Sequence, residues 1–313
     1  NGMLFHATNT MQVFSRYFPD INNIEVSSLA YSDDNLWIGS LDYINSKGIV
    51  DFNLQNYESD FYEFESTINM TPTSAYSMSF SNDELWIGGD DIILYYNTRK
   101  DFWRTLTEEN IGYLSKIYDI YPDSNYVWVA SSSGITCINR KSKKKVSFGI
   151  EKLFNDIPIY VLEGMDNEIW FGTYSGLYIL FSDNPQIIKP SDIGEKDFSE
   201  PIRDISAIST FKDMVYIAGE MGIFSYNREN KIWDFRFPST LYENKKVSAI
   251  AVSNKYLFLG SNNGLFRIDK KTGFVRDYKY TFIGQVNDLF IDDNILWIGS
   301  NEGLIKFKWK RDT

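Results

Sequence analysis

Seven short segments of the chain share the pattern apolar-x-x-apolar. The two variable positions between the apolar residues carry tyrosines, charged residues and short polar residues that could bind a ligand. Tyrosine rings combine flat apolar faces with a hydroxyl group, so tyrosines beside a few charged groups suit sugar rings or peptide segments. The segments are residues 26–29, 75–78, 117–120, 159–162, 202–205, 247–250 and 286–289. The predicted ligand-binding residues are Tyr76, Tyr118, Asp119, Tyr160, Arg203, Asp204, Asn287 and Asp288. The alternative is that Arg203 forms an ion pair with Asp204 or Asp119, while the tyrosines only fill a channel mouth.

Asp119, Asp204 and Asp288 are the residues that could perform acid–base or metal chemistry. Converging carboxylates raise one another's pKa or bind a hard cation such as calcium. The three lie in the third, fifth and seventh segments, so a close pair would have to form across a shared channel. His6 is the only histidine, so a histidine metal centre or a Ser-His-Asp triad lacks its parts. We therefore predict no catalytic residue, no metal site and no cofactor.

These segments belong to a longer repeat centred on an aromatic strand. DDNLWIGS at 33–40 returns as DELWIGG, NYVWVAS, NEIWFGT, DMVYIAG, KYLFLGS and DNILWIGS. Seven copies at a period of roughly 43 residues predict an array of repeated structural units. The aromatic centres are Trp37, Trp86, Trp128, Trp170, Tyr216, Phe258 and Trp297, which lie 49, 42, 42, 46, 42 and 39 residues apart.

Each copy reads as four short antiparallel strands separated by turns rich in Asp, Asn and Gly, with no helical periodicity. This predicts an all-β fold, a seven-bladed β-propeller of four-stranded antiparallel blades that forms a single domain over 1–313. The last copy stops after three strands, whereas the first residues contain strand material, so we expect an N-terminal strand to join the last blade and close the ring. Which N-terminal strand pairs is left open. The predicted blades are 23–66, 73–110, 115–154, 157–198, 201–243, 246–283 and 285–310 plus 2–18.

Composition and charge exclude several classes of partner. The chain has 313 residues, 43% hydrophobic, and a net charge of −11. A negative protein repels phosphate backbones and anionic membrane surfaces, so we predict no nucleic-acid partner. It contains no run of 18 apolar residues, so we also predict no membrane insertion. The first residues are Asn-Gly instead of Met, which we interpret as a mature product whose leader is not in view.

The LWIG pattern followed by Gly-Leu resembles the two-component-regulator propeller repeats of bacterial sensor proteins and related secreted propellers. DDNLWIGS, DELWIGG, NEIWFGTYSGLYIL and DNILWIGSNEGLIKF carry the resemblance, which extends over essentially the whole chain. It implies an extracytoplasmic propeller, periplasmic or at the cell surface, that binds a ligand or a partner. The regulators also contain a second propeller, a further β domain, a membrane span and a kinase, so we expect no signalling by this chain alone.

The sequence favours a non-catalytic binding module that docks a protein partner or a glycan on the channel rim. One alternative is a carbohydrate-active enzyme, a lyase or hydrolase acting at the channel mouth, and another is a scaffold subunit of a cell-surface complex. Residues 59–73 and 182–200 are longer connections between repeats, which either contact a partner or form solvated loops.

Overall fold

The strands of the protein form seven antiparallel sheets around a central channel, which confirms the predicted seven-bladed β-propeller. The computed structural model describes residues 3–6, 13–17, 25–40, 48–183, 185–193 and 202–309. Six sheets have four strands each, and the seventh has five. Within blades one to six the strands follow one another from the channel to the outer edge in chain order, because short turns join antiparallel neighbours.

The strands are numbered in chain order and belong to successive blades. The first two are β1 (Met3–His6) and β2 (Val13–Tyr17). Blades one to three contain β3 (Ser28–Ser32), β4 (Asn35–Gly39), β5 (Gly48–Asn53) and β6 (Ser59–Glu63); β7 (Ser77–Ser81), β8 (Glu84–Gly88), β9 (Ile93–Asn97) and β10 (Phe102–Leu106); and β11 (Ile117–Pro122), β12 (Tyr126–Ser131), β13 (Gly134–Asn139) and β14 (Lys144–Val146). Blades four to seven contain β15 (Ile159–Met165), β16 (Glu168–Thr173), β17 (Leu177–Phe181) and β18 (Ile187–Ile188); β19 (Ala207–Phe211), β20 (Met214–Gly219), β21 (Gly222–Asn227) and β22 (Ile232–Pro238); β23 (Val247–Val252), β24 (Tyr256–Ser261), β25 (Gly264–Asp269) and β26 (Val275–Tyr278); and β27 (Val286–Asp292), β28 (Ile295–Ser300) and β29 (Gly303–Lys308).

The ring is closed by β2, which pairs antiparallel with β29 from Val13 opposite Lys308 to Tyr17 opposite Leu304. β2 therefore supplies the fourth strand of blade seven, and this answers which N-terminal strand pairs there. β1 pairs with β2 and adds a fifth strand at the outer edge. One sheet thus joins both ends of the chain, so the edge of β29 is covered.

Short helical turns lead from the outer strands to the next blade. They are a π-helical turn (Phe64–Ile68), the helix α1 (Glu108–Ile111) and 3₁₀ turns at Ile150–Phe154, Pro190–Asp192 and Ser239–Tyr242. Among the helices in the described ranges, none is long and apolar enough to cross a membrane.

The two connections that the sequence marked as long contain regular structure. Residues 59–73 are not a loop insertion, because β6 pairs with β5 and the following π-helical turn buries Phe64 and Ile68. Residues 182–200 include β18 and a 3₁₀ turn, while residues 184 and 194–200 lie outside the described residues.

The hydrophobic core lies between the blades, because the second strand of each blade is covered on both faces by neighbouring sheets. In β4, Leu36, Trp37 and Ile38 are almost completely buried. Trp86 of blade two packs in the same cluster as Ile117 of blade three. Truncating a tryptophan in such a position to alanine typically costs about 3–5 kcal/mol. The repeated aromatic residue therefore joins each blade to the next.

Candidate functional site

The first strands of the blades line a central cavity of about 450 Å³. In six of the seven blades, the wall is formed by the apolar-x-x-apolar segments at the positions that the sequence indicated. The structure brings together six of the eight predicted ligand-binding residues on this wall: Tyr76, Tyr118, Asp119, Tyr160, Asn287 and Asp288.

Blade five is the exception, and the placement of Arg203 and Asp204 on the channel wall is wrong. β19 begins at Ala207, which pairs with Ala218. This pair is equivalent to the pairs that the corresponding residues form in the other blades. The wall of blade five is therefore formed by Ser206 and Ala207.

Two frames of the apolar pattern overlap in blade five, because Ile202, Ile205 and Ile208 follow one another at intervals of three residues. The correct frame can be recognised from the spacing to the aromatic centre. In the other six blades the second apolar residue lies eight residues before that centre. Ile208 lies eight residues before Tyr216, whereas Ile205 lies eleven residues before it.

Arg203 and Asp204 line a second, smaller cavity of about 240 Å³ on the same face as the channel mouth, together with Tyr174 and Glu220. The Asp204 carboxylate forms an ion pair with Lys246 at 3.1 Å. Arg203 is exposed, and it forms no ion pair within the described part of the chain. The proposed pairing of Arg203 with Asp204 or Asp119 is therefore not observed.

The three tyrosines of blades two to four lie at the channel mouth. The Tyr118 and Tyr160 rings lie 5.3 Å apart between centroids. The Lys116 ammonium lies 4.0 Å from the centroid of the Tyr76 ring and 5.5 Å from that of the Tyr118 ring. We call Tyr76, Lys116, Tyr118 and Tyr160 the tyrosine arc. Lys116 was not predicted from the sequence, because this residue precedes the repeated segment 117–120 and the prediction covered only the two variable positions inside each segment.

The Tyr76 and Tyr118 hydroxyl groups are hydrogen-bond donors at neutral pH. Burial is the main cause that raises the pKa of Tyr76 and of Tyr118 above the usual value. The Tyr76 hydroxyl donates to Asp90 Oδ2 at 3.0 Å. Tyr160 remains 38% exposed, so its ring face is available to a ligand.

On the other side of the mouth, short polar residues at the same repeat position connect neighbouring blades. Ser27 Oγ donates to the carbonyl oxygen of Ala75, and Asn287 Nδ2 donates to the carbonyl oxygen of Val26 at 2.8 Å. Ser248 makes the equivalent bond to the next blade. Asn287 therefore serves as a structural connection within the predicted site.

Asp119 and Asp288 also connect blades, because their carboxylates accept hydrogen bonds from backbone amides. Asp119 accepts from Leu162 of the next blade at 2.8 Å, and Asp288 accepts from Leu29 at 2.8 Å. Each also accepts from the amide of its own following residue. Burial raises the pKa of Asp119 to about 7 and that of Asp288 to about 6, although the amides act in the opposite direction.

Glu163 is a third channel carboxylate, which the sequence reasoning missed. It follows the repeated segment of blade four and accepts a hydrogen bond from Thr210 Oγ1 of blade five at 2.8 Å. Burial raises the pKa of Glu163 to about 7, and the charge of Asp288 contributes. No periodic signal marks Glu163, because this position is occupied by unrelated residue types in the other blades.

The channel thus has an aromatic and cationic mouth and an acidic interior. Among the described residues that line the cavity, none is Lys, Arg or His. Within the described ranges, no three or more His, Cys, Asp or Glu side chains are grouped so that they could hold a metal ion. Such a wall can hold a flat or extended ligand by ring contacts and hydrogen bonds, and its carboxylates can exchange protons near neutral pH.

These features define a β-propeller with a ligand-sized channel and an aromatic mouth. No protein-family profile matches the sequence, and no curated protein matches it. The fold is similar to that of several solved structures.

One is the extracellular domain of a protein described as the hybrid two component system BT4673 from B. thetaiotaomicron. It has a TM-score of 0.72 and 20% identity, over 96% of this chain and 40% of that chain. The corresponding domain of BT3049 from the same organism has a TM-score of 0.65 and 15% identity, over 94% of this chain and 41% of that one. This chain therefore spans about two fifths of the length of these structures.

Virginiamycin B lyase from Staphylococcus aureus is also similar, with a TM-score of 0.70 and 15% identity, over 95% of this chain and 99% of that one. An extracellular domain of a two component system and a lyase thus share this architecture. At these identities the similarity shows the fold alone, so function must be argued from the site.

Proposed function

We propose that this protein is a non-catalytic, extracytoplasmic binding propeller that holds a protein segment or a glycan at the channel mouth. The observation that carries the proposal is the tyrosine arc, which places three aromatic rings and one ammonium group side by side at the opening of a cavity of about 450 Å³. The fold similarity to extracellular domains of two component systems supports the location and the sensor-like role.

The surroundings of the arc favour a ligand that extends beyond the mouth. Asp90 accepts a hydrogen bond from the Tyr76 hydroxyl, and it also lines an open groove of about 600 Å³ over blades one and two. On the other side lies the smaller cavity, where Tyr174 is 73% exposed beside Arg203 and Asp204. We assign these two charged residues to the outer part of the ligand surface.

Replacing arc tyrosines with serine tests the proposal without removing a structural element. Serine is the residue that blades one and six carry at this position, where it donates to the next blade. We therefore expect Tyr118→Ser and Tyr160→Ser to fold normally. Phe274→Ser is the matched control, because Phe274 is 67% exposed but lies in a turn at the opposite end of the blades.

Titration calorimetry of the wild-type protein against a panel of soluble oligosaccharides and synthetic peptides identifies a binder. Each lost ring contact should weaken binding at least about fivefold, because aromatic contacts contribute about 1 kcal/mol beyond the area they bury. Equal affinity in the wild-type protein and both tyrosine variants would contradict the proposal, as would an equal loss in the control.

The carbohydrate-active enzyme is a second candidate, favoured by the carboxylates of Asp119, Glu163 and Asp288 that face one cavity with a pKa near neutrality. Asp119 and Asp288 each accept hydrogen bonds from two backbone amides, so their carboxylates are already engaged in connecting the blades. Glu163 is therefore the better candidate for a general acid or base. A lyase or hydrolase would lose turnover by two or more orders of magnitude in Glu163→Gln, whereas a binding protein would keep its ligand. Product analysis by mass spectrometry of the same oligosaccharide panel distinguishes the two.

A further inference from the structure

At the end of the blades opposite the tyrosine arc, a repeated contact connects three pairs of neighbouring blades. It joins the residue two positions before the aromatic centre of one blade to the residue after the third strand of the following blade. Blades two and three use Glu84 and Arg140, with Arg140 Nε 2.5 Å from Glu84 Oε2. Blades four and five use Glu168 and Arg228, at 2.9 Å. Blades six and seven use an aromatic pair, Tyr256 with Trp309.

Blades five and six carry Met214 and Lys270 at these positions, so a cation meets no carboxylate. The Lys270 ammonium lies 5.1 Å from the centroid of the Phe211 ring and 3.5 Å from the Tyr216 hydroxyl. Lys212 lies over the same Phe211 ring, at 5.4 Å, and donates to Asn254. Two ammonium groups therefore share one aromatic ring. In the described part of the chain, neither forms an ion pair.

The equivalent contact between blades two and three shows that a carboxylate can bind between two such cations. Between blades two and three, two cations also lie together, and one of them, the Lys143 ammonium, lies 3.7 Å from the centroid of the Tyr95 ring. There the single carboxylate of Glu84 bridges them, with Oε1 3.0 Å from Lys143 and Oε2 bonded to Arg140. Lys270 occupies the position of Arg140, and Met214 takes the place of the bridging acid. Lys212, in the turn between the first two strands of blade five, supplies the second ammonium group over the same Phe211 ring.

We propose that Lys212 and Lys270 form a binding site for a carboxylate, which bridges the two ammonium groups as Glu84 bridges its own pair. The Tyr216 hydroxyl can donate to the same group, and the apolar surface of Phe211 and Met214 can contact the aliphatic part of the ligand. Burial and the charge of Lys212 lower the pKa of Lys270, and a bound anion offsets both effects. The site is independent of the proposed channel-mouth function.

The test uses the folded full-length chain and succinate as the probe, with chloride at equal ionic strength as the reference. Scanning calorimetry of the wild-type protein should show a saturable rise of the melting temperature. Met214→Glu places a carboxylate of the protein itself between the two lysines. Without succinate this variant should therefore melt at a higher temperature than wild type, and succinate should no longer raise its melting temperature. Met214→Gln is the matched control and should retain the response, because its side chain carries no charge.

Lys270→Met and Lys212→Gln should each weaken the succinate effect at least about tenfold, since hydrogen bonds between charged groups are stronger than neutral ones. A second titration with a hexaglutamate peptide distinguishes a free acid from an acidic segment of a partner protein. Saturable binding of either probe that requires Lys270 supports the site. Absence of saturable binding of both probes, or an unchanged response in Met214→Glu and both lysine variants, would overturn it.

Discussion

Replacing Glu163 with glutamine should change how the stability of the propeller depends on pH. The folded protein raises the pKa of this carboxyl from 4.5 to about 7, chiefly by burial in the channel wall. A raised pKa means that the folded state prefers the protonated acid. Glu163 therefore contributes stability below about pH 4.5, and this contribution is lost as the pH rises through about 7.

The size of the effect follows from the same values. Each pKa unit corresponds to about 1.4 kcal/mol, so the difference between 4.5 and about 7 sets a ceiling of about 3.5 kcal/mol. Solvent screening at this partly exposed side chain reduces the expected value to about 2 kcal/mol. Glutamine keeps the oxygen that accepts from Thr210 but does not ionise. The variant should thus gain about 2 kcal/mol over wild type between pH 4 and pH 8.

Urea unfolding followed by tryptophan fluorescence at several pH values measures this difference. Comparing the change with pH removes any constant cost of the substitution. Glu220→Gln, an exposed acid beside the outer cavity, controls for the loss of one negative charge. A difference between Glu163→Gln and wild type that stays constant from pH 4 to pH 8 would refute the reasoning.

Three further predictions concern the ring itself. Deleting residues 1–17 removes β2 and exposes the edge of β29. Scanning calorimetry should therefore show a lower melting temperature, and light scattering should show association of the exposed edges. An unchanged melting temperature would contradict the role of β2. Gly88→Ala places a Cβ 2.4 Å from a side chain of the next blade, so urea unfolding should show that the free energy of unfolding falls by about 1–3 kcal/mol. Gly176→Ala is the control and should be close to wild type, because the nearest atom to its added Cβ is 3.8 Å away. Arg140→Met leaves Glu84 partly buried without its main partner and should cost about 3 kcal/mol in the same assay, and a loss under 1 kcal/mol would contradict this.

The fold could be predicted from the sequence because each blade repeats the same physical solution. An apolar strand with a central aromatic residue, such as Trp128 in β12, must be covered on both faces, and only neighbouring copies can cover it. The number of aromatic centres therefore gives the number of blades. The unpaired N-terminal strand material and the incomplete last copy indicated closure. The choice of β2 over β1 depends on the pairing with β29, which the sequence pattern does not specify.

The site was predicted less completely, because a position on the channel wall does not determine a side chain's role. Asp119 and Tyr118 are neighbours in one segment, yet the carboxylate bonds to the next blade while the ring lies at the mouth. Glu163 and Lys116 flank the repeated segments, so no alignment of the variable pair could include them. Arg203 was misplaced because isoleucines at three-residue spacing satisfied two frames, and only the distance to Tyr216 separates them.

Comparison between blades indicates which wall residues serve the fold and which are free for another role. At one repeat position, Ser27, Ser248 and Asn287 donate to the next blade, and each such bond stabilises a protein by about 1 kcal/mol. Three adjacent blades carry tyrosine there and lack this connection, although serine or asparagine would supply it. The Tyr76 hydroxyl donates to Asp90 at the rim instead. Stability of the ring alone therefore does not account for three neighbouring tyrosines, and this favours the proposed contact with a ligand at the channel mouth.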